Sequence, residues 1–180
     1  PPQPAGLWKH VGRNEPKYAA ATDEDRFRRG IYIIWRRAAP YPSFVNFDGP
    51  DRSACHPRRS RTNTPLQALT LLNDEAYIEM ALAFADSILS GNPTLSLEKK
   101  IRLAFRRTVA RAPTQQEIAA LHELYKSEII DLKSNPLRAT ELIGSIKGYK
   151  ASPGLDPQEL AAWFAIANTL LNLDETVTKS

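Results

Sequence analysis

The chain has 180 residues, 42% of them apolar and 24% charged, the composition of an ordinary globular domain long enough to bury a core. No apolar run approaches ~18 residues, so no segment reads as a membrane-spanning helix, and the single cysteine, Cys55, excludes an intrachain disulfide, a Cys-x-x-Cys metal knuckle and a Cys-x-x-Cys-His haem attachment. The net charge of +4 is unevenly spread: residues 1–63 carry twelve Lys/Arg against six Asp/Glu, and residues 64–180 carry twelve against fourteen.

Residues 1–21 are Pro-rich and aperiodic, with an isolated Leu7-Trp8 pair, and read as an extended arm with Trp8 available to dock in an apolar groove. The opening Pro1-Pro2-Gln3-Pro4 suggests a piece of a longer protein. A single helical domain is expected over 22–180. Thr22 offers an N-cap, Asp23, Glu24 and Asp25 follow in the first turn, and Arg36 and Arg37 close the last, an order that suits the helix macrodipole. Phe27, Ile31, Ile34 and Trp35 would form its buried stripe. Gly30 costs about 1 kcal/mol inside such a helix and marks a close helix–helix contact.

Pro40 and Pro42 end that pattern, and residues 38–63 read as a long irregular loop, which when ordered is often functional. Thr64-Pro65-Leu66-Gln67 is a strong helix start: a cap, a proline at the first helical position and a capping-box partner. Leu66, Leu69 and Leu72 are expected to face inward. After Asn73 as a second cap, Tyr77, Met80, Ala81, Phe84, Ala85 and Ile88 make an apolar face. Further helices follow over about Leu97 to Ala110, behind the capping box Thr114–Glu117, after Asn135-Pro136 with Leu137, Leu142 and Ile146 inward, and after Asp156-Pro157 with Leu160, Trp163, Phe164, Ala167, Leu170 and Leu171 inward. The expected fold is all-α: an irregular bundle of six or seven capped helices with an extended arm and a long ordered loop.

Chemistry-bearing residues concentrate in that loop. Arg52, Arg58, Arg59 and Arg61, with His56 among them, lie just ahead of the helix start at Thr64, where guanidinium forks and free N–H groups together suit a carboxylate, sulfate or phosphate. The alternative is that these arginines pair with Asp48, Asp51 and C-terminal acids and simply pin the loop. Asp48 and Asp51 can be read as an acid–base pair, although D-G-P-D is also an ordinary turn. Thr62 and Asn63 read as backbone-tying side chains. Cys55 reads as a buried structural cysteine. No metal site and no zincin, P-loop, nucleophile-elbow or dinucleotide motif is legible. The basic residues are not interleaved with exposed aromatics, which argues against nucleic acid.

Several blocks, taken together, carry a resemblance. They are G-L-W, R-R-G-I-Y-I-I-W-R-R, F-D-G-P-D-R-S-A-C, R-T-N-T-P-L-Q-A-L-T-L-L-N-D, R-L-A-F-R-R-T-V-A-R-A-P-T and L-A-A-W-F-A-I-A-N-T-L-L-N-L-D-E. The chain resembles the C-terminal part of the planctomycete cytochrome-c-associated domain, a domain of unknown function (number fifteen fifty-three). The resemblance implies an exported, multidomain bacterial protein of the cell envelope, with haem c in an upstream part and none in this segment. It brings no catalytic residues, and whether the chain is an enzyme stays open. Three functions are compatible with it: an accessory or interaction domain packing on upstream domains of the same polypeptide, with Trp8, Trp35 and the arginine loop as the contact surface; part of an enzyme site in which Asp48, Asp51, Arg52, Arg58, Arg59 and Arg61 bind an acidic glycan or other anion; and an electron-transfer module docking a cytochrome. Thr62 and Asn63 join these loop residues as candidates for anion binding or interdomain contact.

Overall fold

Proline and short polar caps set most of the helix starts. The structure, a computed structural model, describes residues 6–8, 18–21, 23–36, 38–55, 57–58, 62–146 and 149–178. Among them are eight helices and no strand: α1 Pro42–Asn46, α2 Pro65–Asn73, α3 Glu75–Ser90, α4 Leu97–Val109, α5 Gln115–Ser134, α6 Pro136–Ser145, α7 Pro157–Leu171 and α8 Asp174–Val177. The all-α class is therefore as the sequence reads. The chain divides into two compact units, Pro1–Thr70 and Leu71–Ser180.

The second unit holds the hydrophobic core. Its axis is α7, which packs against α3, α4, α5 and α6. Trp163 and Phe105 are the largest fully buried side chains, surrounded by Leu82, Ile88, Ile101 and Leu160. Capping chemistry fixes the helix ends. Asp74, not Asn73, caps α3 by accepting from the Ala76 amide at 3.0 Å. Thr114 and Glu117 form the expected reciprocal box on α5. Asp156 caps α7 ahead of Pro157. At its other end α4 closes on Ala110, a non-glycine residue at φ 63° whose amide donates to the Arg106 carbonyl.

Two faces differ from expectation. On α3 the buried apolar positions are Ala81, Leu82, Ala85, Ile88 and Leu89, and Met80 is exposed. The helix packs on both α7 and α4, which broadens its buried stripe past the one read from spacing. On α6 Leu137 is exposed and Ala139 is fully buried, in a cluster with Leu132, Ala161 and Ala162. Small residues let the two backbones approach there, and the larger side chain is turned out.

The first unit departs further. Residues 23–36 are not a helix but two 3-10 turns, Glu24–Phe27 and Gly30–Tyr32, separated by Arg28 and Arg29 in extended conformation. Asp23 caps the first turn, accepting from the Asp25 amide at 3.2 Å; Thr22 and Arg37 lie outside the described residues. The stripe expected to be buried is largely outward, with Ile31 82% and Ile34 73% exposed. The β-branched run Ile31, Ile33, Ile34 and the glycine both weigh against a helix. Tertiary packing decides it: a Cβ at Gly30 would sit 2.7 Å from the Phe44 ring. Gly30 is thus a close-contact residue as expected, but of a turn against α1. The loop 38–63 is interrupted by α1, begun by Pro42.

Candidate functional site

Phe44 organises the region from which the site is built. Its ring stacks on Trp35 at 5.3 Å and meets Tyr41 edge-on at 5.4 Å. Its carbonyl accepts from the Gly49 amide at 2.6 Å. A Cβ at Gly49 would come 2.5 Å from that oxygen, so the turn after α1 requires glycine. Asp48, just before it, takes the left-handed conformation at φ 57°, one of the conformations that Asp tolerates better than most residues.

That conformation aims the Asp48 carboxylate across the loop. It accepts from the Thr62 amide at 2.8 Å and from the Thr62 hydroxyl at 2.9 and 3.0 Å. The same hydroxyl accepts from Nε2 of Gln67 at 2.9 Å, and Nε2 donates also to the Asn46 carbonyl at 2.8 Å. Oε1 of Gln67 accepts from the Thr64 amide at 3.0 Å, while Thr64 Oγ1 accepts from the Gln67 amide at 3.3 Å. Asn46 Nδ2 donates to Thr70 Oγ1, which donates to the Leu66 carbonyl. The result is a closed polar lattice of Asn46, Asp48, Thr62, Thr64, Gln67 and Thr70. Gln67 lies at its centre, 1% exposed, with both amide hydrogens and its oxygen satisfied.

Sequence reasoning identifies Gln67 as a capping-box partner but not as the buried keystone, and it passes over Asn46. The S/T-x-x-Q spacing signals the local bonds only. The bond to Asn46 spans 21 residues and carries no local signature. Leu66 and Leu69, expected inward, are each 57% exposed because Gln67 occupies the inward position of α2.

The remaining candidates are placed as follows. Asp51 accepts from the Ser53 amide at 2.9 Å and from its hydroxyl at 2.8 Å, an Asx-type turn. Arg52, at φ 61°, lays its guanidinium 5.1 Å from the Trp35 ring centre. Arg58 is exposed, and Asn63 lies exposed beside the lattice. Cys55 is exposed, not buried as expected: its neighbours Ser53 and Ala54 are exposed too, and among the described residues no apolar element covers that stretch of the loop. His56, Arg59 and Arg61 lie outside the described residues. No group of three or more His, Cys, Asp or Glu is placed to hold a metal ion among the described residues. Arginines do meet exposed aromatics in this unit: Arg26 over Phe27 at 4.9 Å and Arg28 over Tyr32 at 5.8 Å. Trp8 stacks on Tyr18 at 5.4 Å, with Arg36 4.9 Å from its ring centre.

The second unit carries two polar clusters and a groove. Asp86, on α3, accepts from the Tyr149 hydroxyl and the Ser152 amide, each at 2.8 Å, which ties the segment ahead of α7 to α3. Burial alone would push the Asp86 carboxyl up, but hydrogen bonds from Ser152, Tyr149 and Ser90 outweigh it and hold the carboxyl below its ordinary value. Burial, then the bond to Asp86, pushes the Tyr149 phenol up. Arg111 bridges Glu117 at 2.6 Å and Glu175 at 2.7 Å, fastening α8 to the α4–α5 turn. The groove, about 530 Å³, is walled by Leu124, Leu132, Leu142 and Phe164, with Glu128 and Glu141 among its polar lining.

An all-helical chain with a hydrogen-bonded polar junction is the class that these features define. The chain matches the family model PSD1, described as a protein of unknown function (DUF1553), over residues 1–125, and it belongs to that family. The match takes in the lattice and the R-T-N-T-P-L-Q-A-L block; the A-N-T-L-L-N-L-D-E ending lies beyond it. No curated protein and no solved structure matches the chain.

Proposed function

We propose that the chain is an accessory domain that packs on upstream domains of an exported multidomain bacterial protein. One observation carries this reading. The first unit fixes its backbone through Phe44 and the Gln67 lattice, yet turns Phe27, Ile31, Tyr32, Ile34, Val45, Leu66 and Leu69 to the exterior. Among its described residues the buried apolar side chains are Ala39 and Tyr41. Exposed apolar side chains on an ordered backbone mark an interaction surface. The polar residues of the loop support the same role: Asp48 and Thr62 hold one another, an arrangement that fixes a surface.

The test is association. The 180-residue chain and the upstream portion of its parent polypeptide, expressed separately, are mixed and followed by analytical ultracentrifugation. A stoichiometric complex is expected. Sedimentation as two independent species would reject the accessory reading.

A further inference from the structure

We propose that residues 26–36 are the partner-facing edge of the first unit, and that they fit a protein face with aliphatic recesses edged by carboxylates; this rests on the accessory-domain reading. The segment reads Arg26-Phe27-Arg28-Arg29-Gly30-Ile31-Tyr32-Ile33-Ile34-Trp35-Arg36, with four arginines and no acid. Four of its apolar side chains are outward, Phe27 by 60%, Tyr32 by 61%, and Ile31 and Ile34 by more, while Ile33 and Trp35 are half-buried.

The display is built rather than loose. Gly30 seats the turn against the Phe44 ring, Trp35 stacks on the same ring, and the Tyr32 and Ile33 amides donate to the Arg29 and Gly30 carbonyls at 2.9 and 3.1 Å. A segment already fixed loses little conformational freedom on docking. Arginines laid beside aromatic and aliphatic side chains are the composition of interface centres.

The flanking charges select the partner class. Asp23, Glu24 and Asp25 directly precede the segment and are exposed, with Asp25 paired to Arg28 at 2.6 Å. Three carboxylates beside the arginines would be repelled by a polyphosphate backbone or an anionic bilayer. A protein face can match both signs side by side.

The experiment measures binding of the full 180-residue chain to the immobilised upstream polypeptide at low and moderate salt. It compares the native sequence with Ile31→Asp/Ile34→Asp and with Arg26→Gln/Arg29→Gln. Phosphatidylglycerol vesicles and a single-stranded oligonucleotide serve as alternative probes, and thermal melting is recorded for each variant. Loss of at least about tenfold in affinity for the isoleucine variant is expected. The arginine variant should bind more slowly and with a flatter salt dependence. Native-like binding by both variants would overturn the proposal while leaving the accessory reading intact. So would isoleucine-dependent binding to vesicles or oligonucleotide in place of protein. No binding by the native chain would remove the accessory reading, and this inference with it. If the isoleucine variant melts early, the arginine variant decides.

Discussion

Gln67, on the first turn of α2, donates to the backbone carbonyl of Asn46, the last residue of α1, at 2.8 Å. This bond closes the loop between the two helices at its base. The same amide nitrogen reaches Thr62, so one side chain fixes both sides of the loop's return. Gln67 thereby fastens the end of α1 to the residues that lead into α2.

Gln67→Glu tests the arrangement with almost no change of shape. The introduced carboxylate can still accept from the Thr64 amide, but it turns an oxygen toward the Asn46 carbonyl and the Thr62 hydroxyl. Loss of about 2–3 kcal/mol is expected at neutral pH, because a buried charge replaces two donated bonds. The unfavourable setting raises the folded-state pKa of the introduced group. The loss should therefore shrink as pH falls through that value and the protonated carboxyl regains one donor. Amide exchange at Thr62 and Thr64 reports the opening directly. Exchange as slow as in the native chain at pH 7 would refute the assignment.

Gly49 and Gly30 both press on Phe44, but on different atoms. At Gly49 an added methyl meets the Phe44 backbone carbonyl at 2.5 Å, and at Gly30 it meets the ring edge at 2.7 Å. A carbonyl in a hydrogen-bonded turn cannot step aside, whereas a ring can tilt. Gly49→Ala should cost the more, about 2–4 kcal/mol against about 1–2 for Gly30→Ala, on the scale of overpacking and broken turns. Chemical denaturation of the two variants ranks them, and the reverse order would contradict the geometry.

How much of this was legible follows the range of the interactions. The Thr114–Glu117 box, Pro65 and Pro157 act within a few residues, so the starts of α2, α5 and α7 are readable from spacing. The segment 23–36 carries a helical period and is not a helix, because the Phe44 ring against Gly30, 14 positions away, decides its path. α2 inverts expectation for a similar reason: Gln67 takes the inward position through partners at residues 46 and 62. Asp86 carries no local signal in the sequence, and only its bonds to Tyr149 and Ser152, 63 and 66 positions on, reveal its role.

Tyr149→Phe isolates the Asp86 cluster. The ring stays and one donor to a carboxylate is lost, for which about 1.5–3 kcal/mol is expected. The Asp86 carboxyl is held below its ordinary value in the folded chain, so its contribution is present above the unfolded-state pKa and fades as pH falls. The gap between the native chain and the variant should therefore narrow in acid. An equal gap at pH 7 and pH 3 in urea titrations would exclude the bond as its source.

Glu117 gives a second acid limb. Hydrogen bonds from Arg111 first, and from the Thr114 amide, hold its carboxyl down to about 2. The bond from Arg111 likewise lowers Glu175. Depressed folded-state values mean stability present at neutral pH and lost as pH falls from the ordinary carboxylate range toward about 2. Arg111→Met should flatten the melting temperature across that window and loosen α8. Both carboxylates keep part of their solvent shell, so the effect at neutral pH is small, as for other surface ion pairs. An unchanged acid slope in the variant would show that other groups set it.

Ala110 offers a change in the stabilising direction. It ends α4 at φ 63°, where a side chain crowds its own backbone, and it is exposed. The left-handed conformation costs an L-residue about 1–2 kcal/mol. Glycine removes that strain but adds about 0.4–1 kcal/mol of unfolded-state freedom. Ala110→Gly should thus stabilise the second unit by about 0.5–1 kcal/mol, a rise of about 2 °C in Tm for a chain of this size. Gly154, at φ 83° with open space around it, is the mirror case. Gly154→Ala should lower Tm by a similar amount, since strain is the only thing an added methyl meets there. Opposite signs from the two exchanges, read by calorimetry, would tie both effects to backbone conformation; equal signs would assign them to packing instead.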